Sequence, residues 1–189
     1  PVQLAPASPE VPQHDPKMLG MGGDEAVRTV AAEGSMSAAV DGVATTFTFL
    51  PFGSNVAAWS EHSGVARVVI AGAPTDRGFP MLRIVLENVR LDRLQLPASF
   101  AIGGGGKADA PRARIEYMRE ERKSWLAEAE GPAAGTVTLE GYTGKHVRGT
   151  FSATLTPRSS AFGPPIDVTN GRFDVALRLQ GVEPGPAAP

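Results

Sequence analysis

Three histidines, His14, His62 and His146, are the first residues to weigh for chemistry. An imidazole titrates near neutral pH, so it can act as a general base or hold a metal. Their spacing spells out neither use. No HxH or HExxH pattern surrounds them, and the chain has no cysteine to share a metal. His62, beside Glu61, is the best placed for an acid–base pair, and all three read more simply as exposed or incidental. Ser152, in GTFSA, lacks the G-x-S-x-G elbow that presents a nucleophile at a sharp turn, and reads as a strand residue. The run GGGGKAD at 103–109 has the glycines and lysine of a phosphate cradle. Ala108 stands where such a loop needs a hydroxyl for the metal, so a flexible loop is the better reading. Asp167, Asn170 and Asp174 are oxygen donors of the kind calcium uses. They lack the EF-hand spacing and read as turn residues. The expectation is therefore no catalytic residue, no cofactor and no metal site.

Composition narrows the classes further. The chain has 189 residues, 42% of them apolar, enough for one domain with a real core and some length left for tails. A formal net charge of −2, with Lys and Arg scattered among Asp and Glu, gives no basic stripe and no pull toward nucleic acid. Without cysteine, disulfides and thiol catalysis are excluded. No stretch of about 18 consecutive apolar residues offers a membrane-spanning helix, so membrane association is expected only through a lipid anchor or a partner. The sequence begins at Pro1 with no initiator Met and shows no signal-peptide apolar region, so removal of a preceding segment is expected.

The elements that would carry any site read as strands. Residues 1–17, PVQLAPASPEVPQHDPK, contain five prolines, which lack a backbone donor and fix φ, so an extended tether is expected. The C-terminal GVEPGPAAP is a second tail of this kind. Between them, VAAEGSMSAAVDG alternates small or apolar with polar residues, and Asp41–Gly42 signals a hairpin turn. VATTFTFLP follows, with Val43, Thr45, Phe47 and Phe49 on one face. Val56 to Trp59 is a short apolar piece, and EHSG after it reads as a turn. VARVVIA at 65–71 is β-branched and continuous, as in a strand buried on both faces. Leu82, Ile84 and Leu86 alternate with Arg83, Val85 and Glu87, and a further strand is expected over 96–102. Residues 112–129 support two readings. Their Glu, Arg, Ala, Leu and Met favour a helix with Ile115, Met118, Trp125, Leu126 and Ala129 near one face. A hairpin would instead place Ile115 and Tyr117 opposite Trp125 and Ala127. GTVTLEGYTGKHVRGTFSATL at 135–155 reads as two strands about a tight turn. Asp167 to Leu179 ends the domain, with Phe173, Val175, Leu177 and Leu179 alternating. Nine or ten short strands with regular turn signals predict an all-β, antiparallel β-sandwich, with a β-barrel as the alternative. The expected organisation is a tether at 1–26, one domain at 27–180 and a tail at 181–189. Phe47, Phe49, Trp59, Tyr117, Trp125 and Tyr142 could line a ligand pocket, and on alternating strands they read first as core. The mixed charges from Arg112 to Glu130 read as a solvated face.

The C-terminal third resembles a pattern in uncharacterised bacterial secreted proteins and lipoproteins. The residues that carry it are the Gly-Thr-Val-Thr strand, the Arg-Gly-Thr-Phe-Ser strand and Thr-Asn-Gly-Arg-Phe at 169–173, with SAAVDGVATTF matching an N-terminal hairpin. The resemblance covers 135–177 well and 30–180 loosely. It implies a β-domain with a central hairpin bearing an aromatic on each arm, which favours the hairpin at 112–129. It also implies export to the periplasm or cell surface, often with a lipidated N-terminal cysteine, which this chain does not show. Its motifs are structural: Gly135 and Gly149 mark a close approach or bend, Thr136, Thr138, Thr150 and Ser152 a solvent face, and Asn170–Gly171 a left-handed turn or bulge.

The expected function is a non-enzymatic cell-envelope accessory subunit that docks on a larger, membrane-associated assembly. Its contacts would be one sheet face and the tails, through Pro6, Pro9, Pro12, Pro16, Pro184 and Pro186. The alternative is a soluble module that holds a small apolar ligand among Phe47, Phe49, Leu82 and Ile84.

Overall fold

The computed structural model describes residues 31–49, 57–62, 64–105, 107 and 109–180. These form eleven strands: β1 (Ala31–Val40), β2 (Val43–Phe49), β3 (Ala57–His62), β4 (Val65–Gly72), β5 (Met81–Glu87), β6 (Ala98–Ile102), β7 (Arg112–Glu120), β8 (Lys123–Ala127), β9 (Gly135–Tyr142), β10 (His146–Pro157) and β11 (Ile166–Gln180). No α-helix occurs among the described residues, and none there is long and apolar enough to cross a membrane. The fold is all-β, as the alternation predicts.

One large sheet runs in the order β2-β1-β11-β3-β4-β5-β7-β6-β9-β10-β8. Pairings of β10 with β11 and of β7 with β8 join strands distant in that order, so the hydrogen-bonded circuit returns on itself. Pairs are antiparallel except β3 with β11 and β6 with β7. The inward side chains form a single cluster from Met36 to Leu177. Leu82, Ile84 and Leu86 of β5, Ile115 of β7, Leu139 of β9, and Val147 and Leu155 of β10 are fully buried within it. Each such aliphatic side chain contributes about 1.5–3 kcal/mol through transfer from water.

The hairpin reading of 112–129 is the observed one. Ala113, Ile115 and Tyr117 face inward on β7, and Tyr117 lies opposite Trp125 of β8. Packing overrides the helical composition. The long charged side chains of this stretch find partners across strands instead: Arg83 of β5 pairs with Glu116 of β7 at 2.8 Å, and Arg112 with Glu87 at 2.9 Å. Trp125 Nε1 donates to the Pro164 carbonyl at 2.9 Å, and the Arg119 guanidinium stacks 4.7 Å from its ring centre.

Three readings need correction. Glu61 and His62 belong to β3, pairing with Ala66 and Val65, so the turn begins after them; the cross-strand partners extend the ribbon by two residues. The strand at 65–71 is not buried on both faces throughout. Arg67 is exposed and Val65 is 38% exposed, and only Ile70 onward is continuously buried. Its outward half carries Arg67 to Glu87 of β5 at 3.0 Å. At the end of β11, Leu179 is 38% exposed, so the alternation of burial stops at Leu177.

The turn and glycine signals hold. Asp41 and Gly42 take φ of 49° and 76°. The Asp41 N–H donates to the Asp167 carbonyl at 2.8 Å, which hooks the β1–β2 hairpin onto β11. Asn170 has φ 53°, and the β10–β11 register slips between Phe151 and Ala153, opposite it. A Cβ on Gly149 would run into the Thr138 carbonyl oxygen and come within 2.7 Å of the Phe173 ring.

Candidate functional site

The outward face of β9, β10 and β11, bordered by β1, carries three adjoining surface depressions. Along β10 the outward residues are His146, Arg148, Thr150 and Ser152. β11 contributes Asp174, Arg172 and Asn170 beside them, and β9 contributes Glu140, Thr138 and Thr136. Three hollows of about 480, 390 and 340 Å³ follow one another along this face. The first two share Arg148 and Asp174, and the second and third share Thr150 and Arg172, so they form one trough.

The largest hollow has the richest chemistry. Tyr142, Thr143, His146, Arg148 and Asp174 line it. The β9–β10 turn brings them together, since Thr143 Oγ1 accepts from the His146 backbone N–H at 3.2 Å. His146 Nδ1 lies 3.6 Å from Asp174 Oδ1, with both side chains about half exposed or more, at 48% and 64%. Such a solvated pair is worth well under 1 kcal/mol. Arg148 stands opposite both Gly141 and Asp174. A Cβ on Gly141 would fall 2.5 Å from Arg148 Nε, so the glycine lets this side chain lie flat across β9. Arg148 and Arg172 have no ion-pair partner among the described residues, and both are exposed. By contrast, Arg67, Arg83, Arg112 and Arg158 are held by Glu87 and Glu116.

Tyr142 links the hollow to the core. Its ring meets buried Trp59 edge-on at 6.2 Å. Burial pushes the Tyr142 phenol above its ordinary value, and the Asp92 carboxylate adds to the rise. Arg90 sits 5.8 Å from the Trp59 ring centre and bridges Asp92 and Glu61 at 3.2 and 2.9 Å. Trp59 Nε1 is buried without a hydrogen-bond partner among the described residues.

The residues singled out from sequence are not gathered into one place. His146 and Asp174 meet in the hollow. Ser152 lines the far end of the trough, six residues along β10 from His146, or roughly 20 Å, so no nucleophile–base hydrogen bond joins them. Asp167 accepts from Thr154 Oγ1 at 2.7 Å and stands seven residues from Asp174 on one strand, so the oxygen donors of β11 do not converge. Glu61 is taken up by Arg90. Gly103, Gly104 and Gly105 all have positive φ, and the Gly104 N–H donates to the Gly131 carbonyl at 2.8 Å, so the glycine run packs against a neighbouring loop. Phe47, Trp59, Tyr117 and Trp125 are core. His14, Pro6, Pro9, Pro12, Pro16, Pro184 and Pro186, and the side chains of Phe49 and His62, lie outside the described residues. Sequence reading missed Arg148, Arg172 and Tyr142 as a set, because residues on three strands become neighbours only through register.

Comparison with protein-family models, with characterised proteins and with solved structures finds no match to this chain.

Proposed function

We propose that this protein is a non-enzymatic accessory subunit of the cell envelope, docking on a larger partner through the polar trough over β9, β10 and β11. The observation that carries this reading is the pair of unengaged guanidiniums, Arg148 and Arg172, set two strand positions apart along hydroxyl-lined ground. A guanidinium presents a planar fork of donors suited to carboxylates on a partner surface. Thr136, Thr138, Thr150, Ser35, Ser37 and Ser152 supply short hydroxyls that can bond a partner without the entropy cost of ordering long side chains. The Pro-rich segments bearing Pro6, Pro9, Pro12, Pro16, Pro184 and Pro186 belong to the same proposal as straps, and the resemblance to exported β-domains supports the envelope setting. The interior supports docking on the outside over a ligand held within, because Phe47, Leu82 and Ile84 are fully buried in the single core cluster.

Affinity purification from the native source, with Arg148→Glu plus Arg172→Glu beside the wild type, tests the reading. The double variant should lose the wild type's copurifying partner while its melting temperature stays within about 2 °C, as surface substitutions usually cost under ~0.5 kcal/mol. Undiminished recovery of the partner overturns the trough as its site.

A further inference from the structure

We propose that the outer edge of β2 pairs with the same edge of a second copy of this chain, making a two-fold symmetric antiparallel ribbon. Among the described residues, every other strand has two or three partner strands and β2 has one, β1. No described residue pairs with its second edge. Asp41–Gly42 forms a two-residue turn with both φ positive, which makes Val40 and Val43 a hydrogen-bonded pair. By strand parity, the backbone N–H and C=O groups of Ala44, Thr46 and Thr48 then point away from β1. Three donors and three acceptors are thus presented on one line.

The strand lacks the charges and prolines that keep edges apart, and its one ladder irregularity lies at its end, between Phe47 and Phe49. From Val43 to Phe49 the sequence is VATTFTF, with no charge and no proline. The register with β1 runs unbroken from Met36–Phe47 to Val40–Val43 and shifts only beyond Phe47, so Val43 to Phe47 stays a regular edge. Edges that must stay unpaired usually carry a lysine, a proline or a bulge. The apolar side chain of Val43 is 66% exposed. Ala44, Thr46 and Thr48 are exposed as well.

A second copy fits this edge better than a foreign strand. An uncharged strand selects against nothing by sign, but it is complementary to itself. With Thr46 opposite Thr46, Ala44 faces Thr48 and Val43 faces Phe49 at each end. Residues 44, 46 and 48 of both copies then form about six inter-chain hydrogen bonds. Threonine opposite threonine is a favourable cross-strand pair. The hairpin is also held ready, since Asp41 is bonded to the backbone of Asp167 in both directions.

Sedimentation velocity and a cysteine scan test the proposal. The wild type should sediment at about twice 19.7 kDa at micromolar concentrations. Thr46→Lys, which sets like charges face to face on the two-fold, should raise the dissociation constant at least tenfold. The chain has no cysteine of its own, so single variants report register directly. Thr46→Cys should give a disulfide-linked dimer under mild oxidation, because a hydrogen-bonded pair holds Cα atoms about 5.5 Å apart. Val43→Cys should not, as two copies of position 43 would lie roughly 20 Å apart. A monomeric wild type, a dimer indifferent to Thr46→Lys, or cross-linking of Val43→Cys as readily as Thr46→Cys would each overturn the proposal. The cysteine pair keeps the test decisive if the lysine variant does not fold.

Discussion

Truncating Phe151 to alanine probes whether the trough rests on a rigid floor. Phe151 is inward on β10 and 4% exposed. Its ring stacks on Phe173 of β11 at 6.2 Å with 27° between planes. Gly171 approaches so closely that a Cβ there would meet the Phe151 ring at 2.5 Å. Removing the ring therefore loses the transfer energy of a buried aromatic, its stacking with Phe173, and contacts that the bulged backbone at Asn170–Gly171 cannot easily restore. Buried Phe→Ala changes cost about 3–5 kcal/mol, and the aromatic pair accounts for about 0.5–1.5 of that. The paired strands on both sides of β10 resist collapse into the space, which argues for the upper half of the range. The measurement is urea unfolding followed by tryptophan fluorescence. At about 2–4 °C per kcal/mol, the melting temperature should fall by roughly 6–20 °C. Phe151→Leu, which keeps most of the volume, should lose clearly less. A loss below about 1 kcal/mol with an unchanged denaturant slope would show that Phe151 is not a core residue and that the floor of the trough is not built as described.

Four further outcomes follow from the same contacts. Gly149→Ala should destabilise by about 1–3 kcal/mol in urea titration, since its Cβ meets the Thr138 carbonyl and the Phe173 ring. Asp92→Ala should cost about 2 kcal/mol, because the carboxylate is only 3% exposed and holds Arg90, whose own partial exposure at 28% discounts the larger figure typical of buried pairs. Tyr117 and Tyr142 both have phenols raised by burial, so the folded chain keeps those protons where the unfolded chain loses them. Their contribution is complete below the unfolded value of about 10 and is lost as pH climbs past it, so stability should fall above pH 10 and fall less steeply in Tyr142→Phe. Deleting residues 1–17 should reduce copurification of the partner with little change in melting temperature; unchanged recovery would remove the strap role.

The strand content was legible because side-chain period two is a local signal. Leu82, Ile84 and Leu86 needed nothing beyond their spacing to be placed inward, and Asp41–Gly42 announced its turn through residue type alone. The stretch 112–129 shows where local evidence divides. Its composition suits a helix, and only Tyr117 facing Trp125 across a strand pair decides against it. The pairing of β3 with β11 was not legible at all. It is a parallel contact between segments more than a hundred positions apart, set by closure of the circuit and by no motif. The trough is hidden for the same reason. Arg148, Arg172 and Tyr142 are unremarkable on their own strands, and they become a set only when register puts Arg148 beside both Gly141 and Asp174.

The irregularities of the sheet account for where that trough lies. Register slips between Arg148 and Gly149 against β9, between Phe151 and Ala153 against β11, and between Ser37 and Ala39 where β1 meets β11. Each slip adds local twist and bends the strand that carries the extra residue. Three of them on adjoining ladders make the outward surface concave where an even sheet would stay nearly flat. Glycine then keeps the concavity open, because Gly141 leaves room for the Arg148 stem and Gly149 and Gly171 let neighbouring backbone and rings close in from below. The same residues that read from sequence as purely structural are thus what shapes the polar depression that holds Arg148 and Arg172. Fold and binding surface are coupled here, and a substitution such as Gly171→Ala should weaken both together, whereas Arg148→Glu should weaken binding alone.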